Sequence, residues 1–250
     1  MDEADLSRDA FLGGRLRIWQ PRRGYRAGVD PVLLAASVPA RAGQAVLELG
    51  CGVGVASLCL GARVPGLALT GVEIQPAYAD LARRNADAVG VTLEVVTADL
   101  ASLPAELRQR RFDHVIANPP YFRRDQSLPA QDAGRELALG EGTALAQWVA
   151  VAARRVADGG HVTFIQRAER LPELIALMQA HLGSVEVLPL TPRRGRPAQL
   201  VLIRGRKGGR AAFRLCDSVL MHEGAAHDGD RDSYTPLVDA VLRAGAALPF

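Results

Sequence analysis

From Val46 onward the chain alternates apolar runs of strand length with segments of helical period. That is the pattern of a mainly parallel sheet covered by helices on both faces, so the fold class is α/β. Ala45 to Leu49, Ala68 to Val72, Thr92 to Val96, Asp113 to Ala117 and His161 to Gln166 read as successive strands. Pro76 opens a helix that stops at Gly90 and carries Ala77, Leu81, Ala82, Ala86 and Val89 on one face. A second helix, capped by Thr143, places Leu145, Trp148, Val149, Ala152 and Val156 at helical spacing and turns through Asp158-Gly159-Gly160 into the fifth strand. A third runs from Leu171 to Leu182 and ends at Gly183. Val185 to Leu190 and Gln199 to Arg204 flank a turn at Pro192 to Pro197, a connection long enough for a hairpin but not for a crossover helix, which predicts an antiparallel pair. Arg15 to Gln20 alternates like a strand ahead of the first helix, and Tyr121 to Gly142 is a long loop without a period.

Composition narrows the class further. Of 250 residues, 48% are hydrophobic and 23% charged, which indicates neither disorder nor a membrane core. Every hydrophobic run is interrupted before the roughly 18 apolar residues a spanning helix needs. The acidic start, Met1-Asp2-Glu3-Ala4-Asp5, lacks an apolar signal core, so a cytoplasmic location is expected. One domain is expected over 1–250, with 1–27 an N-terminal strand and turn extension of a 28–250 core. Cys51, Cys59 and Cys216 form no Cys-x-x-Cys pair and no two histidines stand at helical ligand spacing, so no metal is predicted.

Net charge is +3, and arginines bunch at 15, 17, 22, 23 and 26, at 193, 194 and 196, and with Lys207 at 204, 206 and 210. The guanidinium fork suits phosphate and stacked bases, although any one cluster is equally a solvated face.

The first strand runs into Glu48-Leu49-Gly50-Cys51-Gly52-Val53-Gly54. Glycines at such a strand-to-helix turn let backbone approach a nucleotide-like ligand. A dinucleotide fingerprint requires glycine where Val55 stands. Glu48 would oppose a pyrophosphate while suiting an amino group or a sulfonium, and S-adenosylmethionine has both cations. The stretch resembles the first motif of class I methyltransferases. Glu73 follows the second strand at the position where an acid accepts two ribose hydroxyls, unless it is an ordinary surface acid. Ala98-Asp99-Leu100 matches the adenine-bracketing loop of such enzymes, with the alternative that Asp99 caps the turn after it.

The fourth strand ends in Asn118-Pro119-Pro120-Tyr121-Phe122. Asn-Pro-Pro-Tyr resembles the signature of amino-methyltransferases acting on exocyclic or amide nitrogens. Such a nitrogen has its lone pair delocalised and attacks poorly while planar. If the Asn118 side-chain oxygen and the Pro119 carbonyl each accept one N–H, the nitrogen is held toward a tetrahedral shape with its lone pair aimed at the methyl group. Tyr121 would stack on the substrate's plane, with Phe122 opposite, after the base is flipped out. Asn118 orients and does not deprotonate.

The motif alone admits several acceptors. Enzymes that methylate glutamine N5 in release factors resemble this core, making a protein acceptor the alternative, but they carry a large helical N-terminal domain where this chain has a basic strand and turn. From Leu16 to about Tyr234 the chain resembles the bacterial tRNA1(Val) adenine N6-methyltransferase family. The likeness rests on Trp19-Gln20-Pro21-Arg22-Arg23-Gly24-Tyr25-Arg26, on Val29 to Ala35, on Arg204 to Gly208, and on Asp232 to Thr235. Relatives carry Thr or Ser where Val29 stands, so Asp30 either contacts the cofactor or caps the helix that follows.

The resemblance implies a Rossmann-like, mostly parallel seven-stranded sheet with an antiparallel C-terminal hairpin, and methyl transfer to adenosine N6 in tRNA. It implies a cofactor site of Asp30, Glu48, Gly50, Cys51, Gly52, Gly54, Glu73, Ile74, Asp99, Leu100 and Asn118, and catalysis at Asn118, Pro119, Pro120 and Tyr121. Arg22, Arg23, Arg26, Phe122, Arg194, Arg196, Arg206 and Lys207 would contact RNA at the carboxyl edge of the sheet or its loops.

Overall fold

The structure, a computed structural model, describes residues 1–120, 144–224 and 233–250. Tyr121, Phe122, the loop to Gly142, Thr143 and Asp232 lie outside the described residues.

Strands β3 (Ala45–Leu49), β4 (Ala68–Glu73), β5 (Leu93–Thr97), β6 (Phe112–Ala117) and β7 (Val156–Arg167) pair in parallel. Strand β9 (Leu200–Arg206) runs antiparallel between β7 and β8 (Gly183–Thr191), giving the order β8-β9-β7-β6-β3-β4-β5. These seven strands match the expected sheet and its antiparallel hairpin. Two-residue strands β10 (Arg214–Leu215) and β11 (Val219–Leu220) extend the outer edge of β8 in parallel, too short to leave a period in the sequence. Because the chain leaves β3 toward β4 and β5 and returns to β6 on the other side, the carboxyl ends of β3 and β6 flank a switch point, where ligands bind in open α/β sheets.

Helices α1 (Asp30–Ser37), α2 (Val55–Arg63) and α3 (Pro76–Val89) share one buried cluster with the N-terminal segment. Helices α4 (Ala105–Gln109), α5 (Leu145–Arg155) and α6 (Leu171–Gln179) share the other. Alternate residues of each strand feed these two clusters, as a sheet covered on both faces requires. Helix α3 has Pro76 in its first turn and Gly90 in the left-handed conformation after its end, as the sequence dictates.

Three local expectations change. Helix α5 begins at Leu145 with Ala144, not Thr143, at the cap position. The turn expected at Asp158-Gly159-Gly160 is a bulge inside β7, since Phe112 pairs with Val156 and His114 with His161, leaving the extra residues on β7. Helix α6 stops at Gln179, three residues before Leu182, and Gly183 already belongs to β8.

The N-terminal extension is a hairpin of β1 (Leu6–Phe11) and β2 (Leu16–Pro21). Only β2 was legible. Asn85 of α3, fully buried, accepts from Trp19 N–H at 2.8 Å and donates to Trp19 C=O and Val53 C=O at 3.0 Å, standing in for a neighbouring strand. The Arg8 and Arg84 guanidiniums each lie over the Trp19 ring, 5.5 and 4.5 Å from its centroid. These contacts lock the hairpin onto α3 and carry the following turn over the carboxyl ends of the strands. Among the described residues no helix is long and apolar enough to cross a membrane.

Candidate active site

The loop after β3 folds back on β4. Cys51 N–H donates to Val72 C=O at 2.9 Å, and Gly52 N–H donates to Glu73 Oε2 at the same distance. Gly50 has φ +63°, and a Cβ there would lie 2.5 Å from Trp148 Cη2, so only glycine fits between loop and ring. Gly54 takes the cap position of α2 and packs among Leu58, Ala82 and Leu93, supporting the loop from behind.

A cavity of about 370 Å³ opens between this loop, the turn after β4, the corner after β6 and the N-terminal turn. It brings together Asp30, Glu48, Gly50, Cys51, Gly52, Glu73, Ile74, Asn118, Pro119, Pro120 and Arg26 from the sequence-derived set. Gly54, Asp99 and Leu100 do not line it. Asp99 accepts from Ala101 N–H at 2.8 Å and caps a short turn, the alternative weighed for it, and Leu100 is buried in the core. Asp30 is the first residue of α1, with Val29 at the cap position.

Glu73, buried at the end of β4, accepts from Gly52 N–H and, through its other oxygen, from Gln75 N–H at 2.9 Å. Burial pushes its carboxyl above the ordinary range. Each oxygen has one such bond and a second lone pair to offer, and Glu73 lines the cavity. Glu48 is buried beneath the loop, where one oxygen accepts from Ser57 Oγ at 2.5 Å and Ser57 N–H at 3.0 Å. Burial lifts its pKa to about 7, against the two Ser57 bonds that favour the ionised form.

At the corner after β6, Asn118 Nδ2 lies 3.5 Å from Tyr25 Oη, and Gln166 Nε2 of β7 lies 3.4 Å from the Pro119 carbonyl oxygen. Both are long contacts at the outer limit of hydrogen bonding. Tyr25 is fixed through its main chain: its N–H donates to Tyr78 Oη at 3.1 Å, and the same hydroxyl donates to Tyr25 C=O at 3.2 Å. Burial, with Asp30 and Glu48 nearby, raises the Tyr25 phenol and keeps it protonated.

Tyr25, Tyr78, Trp148 and Gln166 had no role assigned from sequence. Trp148 sits at a core-like helical position and Gln166 at the end of an apolar strand, so neither spacing nor composition marks them. Tyr25 lies within the basic N-terminal motif, where arginines are the conspicuous residues.

The basic residues divide between the two ends of the sheet. Leu200 pairs with Arg167 at the carboxyl end of β7, so exposed Arg194 and Arg196, in the loop before Leu200, stand at the same end of the sheet as the cavity. Arg206 pairs with His161 near the opposite end, where it donates to Gly159 C=O at 3.0 Å while Lys207 donates to Ala153 C=O at 3.1 Å. The expectation that Arg206 and Lys207 flank the carboxyl edge is therefore corrected, because β9 is antiparallel and its end points away from that edge. Arg204 of the same motif is buried, bonded to Glu186 at 2.6 Å and to Phe250 C=O at 2.8 Å. Arg22 and Arg23 are exposed on the N-terminal turn, and Arg26 reaches back to Asp9 at 2.7 Å.

A family model for the methyltransferase small domain matches residues 27–193. The chain is 32% identical to the tRNA1(Val) (adenine(37)-N6)-methyltransferase of Porphyromonas gingivalis, over 72% of this chain and 76% of that one. It is 30% identical to the enzyme of the same name from Actinobacillus succinogenes, over 78% and 82%. Among solved structures, a predicted O-methyltransferase from Agrobacterium tumefaciens superposes with a TM-score of 0.72 at 28% identity, over 88% of this chain and 98% of that one. The Thermus thermophilus 16S rRNA N2 G1207 methyltransferase, in complex with AdoMet and guanosine, shares the fold at a TM-score of 0.56 and 19% identity, over 81% and 50%.

Proposed function

The chain belongs to the methyltransferase small domain family, and from that premise we propose that it transfers a methyl group from S-adenosylmethionine to the exocyclic N6 of an adenosine in tRNA. One observation carries the reading: Asn118 and Pro119 line the same cavity as the glycine loop and Glu73.

The residues present fit the cofactor. The cavity lies within the roughly 300–1,000 Å³ range of small-molecule sites. Glu73 offers two anchored oxygens to a pair of vicinal hydroxyls, and Ile74, a large apolar side chain left 47% exposed beside it, offers a flat contact for a planar base. Asp30 supplies negative charge, Glu48 a buried carboxyl that a neighbouring cation would draw toward its ionised form, and the left-handed glycine turn close backbone approach, for an amino acid moiety and sulfonium. When bound, S-adenosylmethionine supplies an electrophilic methyl carbon.

Asn118 Oδ1 and Pro119 C=O act as two acceptors for the two N–H groups of the adenine amine. Holding both protons sideways turns the nitrogen lone pair toward the cavity that the cofactor residues line. Neither acceptor is a base: the amine loses its proton after charge has developed on nitrogen. Tyr121 and Phe122 are assigned to stacking on the flipped base, and Arg22, Arg23, Arg194 and Arg196 to phosphates around it.

Incubation with labelled S-adenosylmethionine and either total tRNA or a release factor, followed by nucleoside and peptide analysis, tests this reading. N6-methyladenosine in tRNA is expected. Label on glutamine, with none in tRNA, would transfer the assignment to a protein acceptor.

A further inference from the structure

Two successive prolines remove the main-chain N–H from positions 119 and 120, so neither residue can anchor the corner expected to grip the amine through a main-chain donor. The β6 ladder ends where Ala117 pairs with Phe164. Beyond that register the Pro119 carbonyl takes a donor from elsewhere, and among the described residues Gln166, two residues past Phe164 on β7, reaches it.

Gln166 is fully buried. Its Oε1 accepts from the neighbouring Arg167 N–H at 2.8 Å, which leaves Nε2 toward Pro119. Flipping the amide would set donor against donor at Arg167 and acceptor against acceptor at Pro119, so two fixed main-chain groups dictate its orientation. A buried amide is a costly way to fill space in a strand whose same-face neighbours are Val162 and Phe164, and an aliphatic side chain would fill it without polar atoms to satisfy.

The other acceptor has a comparable partner. Tyr25 Oη lies beside Asn118 Nδ2, and taking up that end of the amide leaves Oδ1 as the end directed elsewhere. Tyr25 is itself held at both main-chain polar groups by Tyr78.

We propose that Gln166 and Tyr25 are positioning residues for the amine clamp, Gln166 fixing the Pro119 carbonyl from β7 and Tyr25 fixing the Asn118 amide from the N-terminal turn. The inference rests on the role assigned to Asn118 and Pro119 above. It explains why the hairpin must be locked onto α3: without that attachment the Tyr25 hydroxyl would not stand at the catalytic corner.

The test measures kcat, cofactor Kd and melting temperature for Q166L, Q166E and Y25F, with N118A as reference. Q166L and Y25F should each lose about 10- to 100-fold in kcat with cofactor Kd held within about twofold, because an acceptor displaced by a fraction of an ångström still leaves the cofactor residues in place. In Q166E the new carboxyl donates to the Pro119 oxygen only when protonated, so activity relative to wild type should climb as pH falls from about 8.5 to about 6, a response Q166L lacks. If N118A is inactive while Q166L and Y25F turn over at the wild-type rate, the inference fails and the clamp survives. If kcat, Kd and melting temperature fall together, the two residues are merely structural and the inference also fails. Should Q166L not fold, the pH response of Q166E and the kcat of Y25F decide the question. Wild-type turnover by N118A would instead overturn the underlying reading.

Discussion

Gly52 N–H donates to Glu73 Oε2 at 2.9 Å, tying the glycine loop after β3 to the end of the neighbouring strand β4. One carboxylate thereby shapes the loop and presents acceptors to the cavity. Glu73→Ala removes both and leaves the Gly52 and Gln75 amides unpaired, so S-adenosylmethionine affinity should fall about 10- to 100-fold, read by titration calorimetry. Glu73→Gln, which keeps one acceptor oxygen, should fall between the two. Unchanged affinity in Glu73→Ala would remove Glu73 from the cofactor site.

Glu48 makes stability depend on pH in a defined direction. Its folded-state pKa is raised from 4.5 to about 7, so the folded chain retains a proton that the unfolded chain has already released. The group's contribution is fully present below the unfolded value and lost as pH rises through the folded one. Glu48→Gln should therefore gain stability relative to wild type between about pH 5 and pH 8, by roughly 2–4 kcal/mol in urea melts without cofactor. Parallel stability curves would contradict a buried, proton-retaining Glu48.

At Gly50 the constraint is steric and conformational together. Gly50→Ala adds a Cβ that would stand 2.5 Å from the Trp148 ring in a left-handed backbone. It should weaken cofactor binding and lower the melting temperature, and adding Trp148→Leu should restore part of the loss, leaving the roughly 1 kcal/mol conformational term. No recovery in the double variant would mean that the ring does not set the loop.

Charge at the two ends of the sheet should act differently on RNA. Arg194→Ala, at the carboxyl end of the sheet, should weaken tRNA binding and reduce the magnitude of its log Kd versus log salt slope by about 1. Arg206→Ala, at the opposite end, should leave both unchanged. Equal effects would mean that RNA wraps past the carboxyl edge.

The parts of this protein that sequence exposed are those where chemistry and local geometry coincide. Glycines at 50, 52 and 54 are demanded by the turn itself, and Glu48, Glu73 and Asn118 fall at strand ends, so counting strands locates them. What stayed hidden depends on contacts between distant segments. Tyr25 reaches Asn118 only because Asn85 and Tyr78 hold the hairpin on α3, and Gln166 faces Pro119 only through the β6–β7 register. Arg206 and Lys207 were misplaced because a basic motif carries no record of which way its strand runs. Strand β1 was missed because its buried residues, Leu6 and Phe11, stand only at its ends.

Transfer of label from S-adenosylmethionine to tRNA by N118A, measured beside the cofactor Kd of the same preparation, decides whether Asn118 holds the reacting amine. Turnover should fall by about 1,000-fold or more with cofactor affinity within about twofold of wild type. Methylation of adenosine by N118A at the wild-type rate would contradict that role.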